Sequence, residues 1–136
     1  MASEIVETPS DFHDLLAGPN TAVLSTLMPD GSLQGSPVWF WFDGVRVHVS
    51  TVKARQKARN LRRDPRMALT VFDPAHPLRY IEIRGTAELH DDRDGAMRDR
   101  IAVKHGFPDG KAFDSPGDER VTITIIPSRI RTSSRD

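Results

Sequence analysis

Seven cations, Lys53, Arg55, Lys57, Arg59, Arg62, Arg63 and Arg66, stand in fourteen positions of this chain against a single acid, Asp64. Over the whole 136 residues Lys+Arg and Asp+Glu both number 19, so the local excess is a placement and not a consequence of composition. Such a run can grip a phosphate, follow a nucleic-acid backbone, or form the solvated face of a helix. On a helical wheel the cations divide. Arg55, Arg59, Arg62 and Arg63 lie opposite an apolar stripe of Ala54, Ala58 and Leu61, whereas Lys57 and Asn60 flank that stripe. The outer arginines read as a solvated face. Lys57, Asn60 and the helix start read differently, because a helix N-terminus directs free N–H groups and partial positive charge at whatever lies beyond it. A phosphate suits that place, with Arg55 as a bidentate clamp and Lys57 as a point charge.

The elements that position this helix follow from periodicity. "TPSDFHDLLAGPN" predicts a short N-terminal helix capped by Ser10, with Phe12, Leu15 and Leu16 inward and a stop at Gly18-Pro19. Asp30-Gly31 and Asp43-Gly44 each separate β-rich runs, the pattern of tight hairpins. They predict strands over Ala22 to Leu27, Leu33 to Phe42 and Val45 to Thr51, and in the third Val45, Val47 and Val49 alternate with Arg46, His48 and Ser50. Ser50 therefore faces away from the core, toward the start of the basic helix. "MALTVFD" and "RYIEIRGTAELH" are two more strands, and "DDRDGAMRDRIAVKHG" is a second substantial helix with Met97 and Ile101 at i, i+4 and Gly106 closing it. Phe107 to Glu119 reads as a loop and "RVTITIIP" as a last strand, followed by the tail "SRIRTSSRD", whose composition predicts fraying at its end. Tight hairpins force antiparallel neighbours, which excludes a doubly wound parallel sheet. A mainly β fold with flanking helices results: a six-stranded antiparallel barrel, whose closure removes exposed strand edges, in one domain spanning 1–136.

Composition narrows the function. The absence of cysteine excludes disulfides, zinc-cysteine sites, iron-sulfur clusters and thiol nucleophiles and gives no sign of an oxidising compartment, which leaves the cytoplasm as the default location. The acidic N-terminus does not read as a signal peptide, and no apolar run is long enough for a membrane helix. Neither GxxxxGK[ST] nor a GxGxxG after a strand is present, so phosphate binding of the P-loop or Rossmann kind loses support. "QKARNLRR" lacks interleaved aromatics and no second basic stripe follows, which argues against nucleic acid.

"KARQKARNLRRDPRMALTVFDP", followed by "RYIEIRGTAEL" and preceded by the hairpin "LSTLMPDGSLQGSPVWFWFDG", resembles the split β-barrel flavin and deazaflavin oxidoreductases related to pyridoxamine 5′-phosphate oxidase. Within them it is most similar to the actinobacterial branch that uses the deazaflavin coenzyme F420. The likeness spans Ala22 to Leu89, continues loosely to Pro127, and centres on "K-x-R-N-L-x-x-D-P-R" from Lys57 to Arg66. It implies the coenzyme phosphate on Arg55 and Lys57, with Ser50, Thr51 and Asn60 along the adjacent wall and Gln34, Ser36, Pro37 and Val38 along the ring edge. It further implies a homodimer with composite sites, to which Tyr80 of a second subunit contributes, and a small conjugated acceptor. The outer arginines would meet the oligoglutamate tail of F420. "VWFWFDG" does not reproduce the Arg-led strand that grips FMN in the flavin-using oxidases, which leaves F420 ahead of FMN. The rival readings are an FMN-binding reductase or oxidase and a non-catalytic F420 carrier.

The cofactor would supply the chemistry, so no catalytic residue is assigned. The five histidines share no metal-ligand spacing, and none is read as a metal site. His48 shares a face with Ser50 but reads as surface or interface packing. Trp39 and Trp41 read as core or dimer interface before they read as a stacking surface for a ring.

Overall fold

The computed structural model describes residues 6–134. Its elements are a 3-10 turn Ser10–Phe12 running into α1 (His13–Ala17), then β1 (Ala22–Leu27), β2 (Leu33–Val38), β3 (Phe40–Phe42) and β4 (Val47–Val52). α2 (Gln56–Arg63), β5 (Arg66–Asp73), β6 (His76–Asp91), α3 (Ala96–Lys104), a 3-10 turn Lys111–Phe113 and β7 (Arg120–Ser134) complete it. All pairings are antiparallel, in the order β2-β1-β5-β6-β7-β4-β3. β2 and β3 stand at opposite ends of that order, yet only Trp39 separates them in the chain. The sheet must therefore curl until its two ends meet, and the fold is a split β-barrel of mainly β architecture with three helices.

The expected strand from Leu33 to Phe42 is thus two. At Trp39 the run leaves β1 and joins β4, so one continuous apolar segment supplies both edges of the seam and the strand count is seven instead of six. The core lies inside the barrel, where Ala22 and Leu24 meet Leu69, Val71, Ile81, Ile83, Ile123 and Ile125, with Phe40, Val47 and Val49 from the other flank. α1 adds Leu15 and Leu16 and α2 adds Leu61 beside buried Ala58, so both helices cover the barrel with apolar residues, but Ala54, expected in the same stripe, precedes α2 and is exposed.

Local chemistry shifts several boundaries. Val45 belongs to the hairpin turn, where Asp43 Oδ1 accepts from the N–H groups of Val45 and Arg46 at 2.8 and 2.7 Å, and its side chain is exposed. Gly31 and Gly44 take φ of 86° and 96°, the left-handed conformation that the two Asp-Gly turns require. Ser10 makes no cap bond; Pro9 is the flanking residue there. α3 is started by buried Asp92, whose carboxylate accepts from the N–H groups of Met97 and Arg98 at 3.3 and 3.1 Å. The last strand, expected to end at Pro127, continues to Ser134 and pairs residue by residue with the first half of β6, from Arg84↔Arg129 to Arg79↔Ser134; the end of the tail, 135–136, where fraying was expected, lies outside the described residues. The polar composition of the added stretch reflects a face toward solvent, with Ile130 packed against the core. Among the described residues no helix is long and apolar enough to cross a membrane.

Candidate functional site

Where β4 ends and α2 begins, a cleft of about 640 Å³ opens between the barrel seam, α3 and the segment before β7. β4 contributes Ser50, Thr51 and Val52, the seam contributes Pro37, Val38 and Trp39, and the start of α2 contributes Arg55 and Lys57. α3 supplies Arg98, Ile101 and Ala102, while Phe113, Ser115, Asp118 and Arg120 close the remaining side.

The cation end is built from strand alternation and helix onset. Val47 and Val49 point into the core, which turns Ser50 outward, and Thr51 is buried at the strand end. Arg55 is the extended residue that precedes the first turn of α2, and no side chain caps that turn. Lys57 is half-buried; burial, and then the neighbouring charge of Arg55, push its ammonium below the ordinary lysine value. Among the described residues neither Arg55 nor Lys57 has a side-chain hydrogen bond or ion pair. Two like charges with no counter-charge, one of them partly desolvated, make this end of the cleft a receptor for an anion.

The second cation pair is satisfied within the fold. Asp114 Oδ2 accepts from Arg98 at 2.5 Å and Asp114 Oδ1 accepts from Arg120 Nε at 2.5 Å. Arg98 also meets Asp99 at 3.1 Å, and Asp99 in turn accepts from the Gly110 N–H at 2.8 Å. Burial opposes ionisation of Asp114, but its bonds to Arg120 and Arg98 outweigh that and hold its carboxyl below the usual range. Arg120 further donates to Ser50 Oγ at 3.3 Å, which joins the two ends of the cleft through one hydroxyl.

Of the residues singled out from the sequence, Pro37, Val38, Ser50, Thr51, Arg55 and Lys57 share this cleft. Gln34 and Asn60 do not line it. Asn60 is fully buried; its Nδ2 donates to Thr26 Oγ1 at 3.0 Å, and its Oδ1 accepts from Gln56 at 2.8 Å and Arg63 at 3.2 Å. Thr26 Oγ1 in turn donates to Gln34 Oε1 at 3.3 Å. This chain of side chains bolts α2 to β1 and β2, so Asn60 and Gln34 set where Arg55 and Lys57 stand instead of forming the wall of the cleft. Ser36 lies opposite Leu24, on the face that β1 turns inward, and its buried hydroxyl has no partner. Tyr80 sits on the outer face of β6 opposite Phe72, outside the cleft of its own chain.

The outer arginines are less free than a solvated comb. Arg62 donates to the Lys53 carbonyl at 2.7 Å, Arg63 to the Leu27 carbonyl, and Arg66 to Asp64 at 2.7 Å. His48 is bracketed, Nε2 at 2.8 Å from Asp43 Oδ2 and Nδ1 at 2.9 Å from Thr124 Oγ1, which fixes the β3–β4 hairpin and keeps the ring from the cleft. The sequence reading missed Arg98, Arg120 and Phe113. No spacing marks them, because α3, the 3-10 turn and the start of β7 meet only in the folded chain.

The family model described as pyridoxamine 5′-phosphate oxidase matches residues 9–133. Among solved structures, one described as an F420 reductase is 33% identical, with 91% of this chain and 98% of that chain covered and a TM-score of 0.79. A putative pyridoxamine 5′-phosphate oxidase from Listeria innocua is 27% identical, with coverage of 83% and 87% and a TM-score of 0.62. A conserved hypothetical protein from Mycobacterium tuberculosis, 24% identical with coverage of 98% and 88% and a TM-score of 0.78, shares the fold.

Proposed function

Since the chain belongs to the pyridoxamine 5′-phosphate oxidase family, we propose that it is an F420-dependent oxidoreductase acting on a small conjugated acceptor. The observation that carries this reading is the partnerless pair Arg55 and Lys57 at the end of β4. A redox coenzyme of this kind presents a phosphate, and a phosphate docked there removes the repulsion between the two cations and gains charge-assisted hydrogen bonds. The likeness to an F420 reductase favours the deazaflavin over FMN.

The residues present fit such a group. Arg55 and Lys57 would hold the phosphate, Ser50 and Thr51 would donate hydroxyls beside it, and Pro37 and Val38 would bound the ring. Ser36, expected along the ring edge, turns inward opposite Leu24 and does not line the cleft, so it is not assigned a contact with the ring. When bound, such a reduced group would supply hydride to a conjugated acceptor, and the matching proton would come from water or a side chain. The chain's own part is to bind, orient and exclude water, so the reaction needs no nucleophile.

A homodimer completes the reading. The outer face of β1, β5 and β6 carries exposed Val23 and Phe72 and half-buried Tyr80, an apolar area that a second copy would cover. Tyr80 would then reach the composite site from across that interface. The test is titration of the purified protein with F420 and separately with FMN, followed by turnover of reduced F420 with a panel of enones and quinones. Saturable F420 binding with acceptor-dependent oxidation supports the proposal. Binding of FMN alone, or of F420 without turnover on any acceptor, overturns it in favour of a flavin enzyme or a carrier.

A further inference from the structure

The end of the cleft remote from Lys57 is aromatic. Trp39, the single residue between β2 and β3, lies parallel to His105, ring centroids 3.8 Å apart and planes 3° apart. His105 backs the indole on one side, and it is Trp39, not His105, that meets the cleft. Phe107 and Phe113 approach Trp39 at 5.9 and 6.0 Å and each other at 5.1 Å. Such a cluster excludes water when it belongs to a core, yet these two phenylalanines remain 40% and 45% exposed. Their position owes little to the barrel core. Phe113 ends the 3-10 turn, and the next residue, Asp114, fastens the segment to α3 and β7 through Arg98 and Arg120.

Charge is balanced at this end, two guanidiniums against the carboxylates of Asp99 and Asp114, and Asp118 also lines the cleft. An anionic ring would meet Asp118 here, while the cations lining this end, Arg98 and Arg120, are already paired. Lys111, which acts on Asp99, is exposed and does not line the cleft, and Arg55 and Lys57 stand at the other end. His105 adds no charge near neutrality, because burial, and then Lys104 beside it, lower its basicity.

We propose that Trp39 and Phe113 form the seat of a flat, uncharged conjugated ring, and that the Asp114 clasp sets the width of this seat. The inference rests on the redox reading only for the ring's role as hydride acceptor; the seat itself is a claim about binding. Trp39 and Phe113 are specificity-determining residues on this view, and Asp114 is a positioning residue.

The probes are 2-methyl-1,4-naphthoquinone and its 2-sulfonate, titrated calorimetrically into the full chain with and without F420. The absence of cysteine removes quinone addition to thiols as a complication. The neutral quinone is expected to bind saturably and at least tenfold more tightly than the sulfonate. Phe113→Ala should weaken it about tenfold, Phe113→Tyr should restore it, and Asp114→Asn should weaken it several-fold with circular dichroism unchanged. Arg84→Ala, on β6 and outside the cleft, should leave it unaltered. Absence of saturable binding in both cofactor states, equal affinity of Phe113→Ala and the parent, or preference for the sulfonate overturns the seat. So does a shift of sedimentation coefficient toward monomer in Phe113→Ser, since the aromatic cluster would then be a contact between subunits. Quinone binding without any F420 binding would instead remove the redox reading and leave the seat standing.

Discussion

Four cations line one cleft, and the fold treats them in two ways. Arg98 and Arg120 share Asp114, are largely buried, and tie α3 and the start of β7 to the segment carrying Phe113. Arg55 and Lys57, at the other end, have no counter-charge among the described residues. The first pair is consumed by folding. The second is held against folding's interest, because a half-buried ammonium beside a guanidinium costs stability unless an anion arrives. An unpaired charge within a built cleft is therefore the better guide to a ligand than a count of cations.

The contrast breaks most visibly at Lys57. Lys57→Ala should lower F420 affinity about 100-fold, roughly 2.7 kcal/mol, while the melting temperature of the ligand-free protein stays level or rises. A loss of stability would show that Lys57 belongs to the structural class after all. Next in size, Asn60→Ala should cost about 2 kcal/mol in a denaturant titration, because Thr26 and Gln56 lose their buried partner. It should also weaken F420 binding by moving α2.

Asp114→Ala should cost about 1–2 kcal/mol by leaving two guanidiniums without their shared carboxylate, with cofactor affinity changed less than threefold. The pH dependence has a definite sign. Asp114 titrates lower in the folded chain than in the unfolded one, so its contribution is present above the ordinary carboxylate range and lost as pH falls through its lowered value. A variant lacking Asp114 should therefore show a shallower acid limb in thermal melts.

Lys57 gives the opposite pattern at alkaline pH. Its ammonium titrates below the ordinary 10.5, so F420 affinity should decline before that pH is reached, while the ligand-free protein gains stability over the same rise. Parallel loss of both would contradict the idea of a strained, waiting cation. The smallest expected effect is at Arg62, which is exposed and bonded to a backbone carbonyl. Arg62→Ala should change stability by about 0.5 kcal/mol and F420 affinity by no more than about twofold. A loss matching that of Lys57→Ala would mean diffuse attraction by the whole helix face.

The hairpins, the basic helix and the helix begun at Asp92 were legible because each is announced locally, by Asp-Gly turns, by period-two and period-3.6 apolar spacing and by Gly106 after the last turn. Leu33 to Phe42 was legible as strand but not as two strands, since its apolar residues are the same whether it pairs with β1 or β4. The reach of the last strand was misread because a strand that pairs its backbone while turning polar side chains to water carries no hydrophobic period. Asn60 was placed beside the phosphate by its spacing from Lys57, but a helix wheel cannot tell a face that meets a ligand from one that meets Thr26 on another strand.

The sequence by itself determined the antiparallel character of the sheet, the helix that springs from a strand end, and the concentration of positive charge at that junction, because turn geometry and side-chain period act over a few residues. Only the tertiary structure decided which cations remain without partners. That depends on whether a carboxylate such as Asp114 is carried to them from a distant part of the chain, and distance in space is the one quantity that local spacing does not encode.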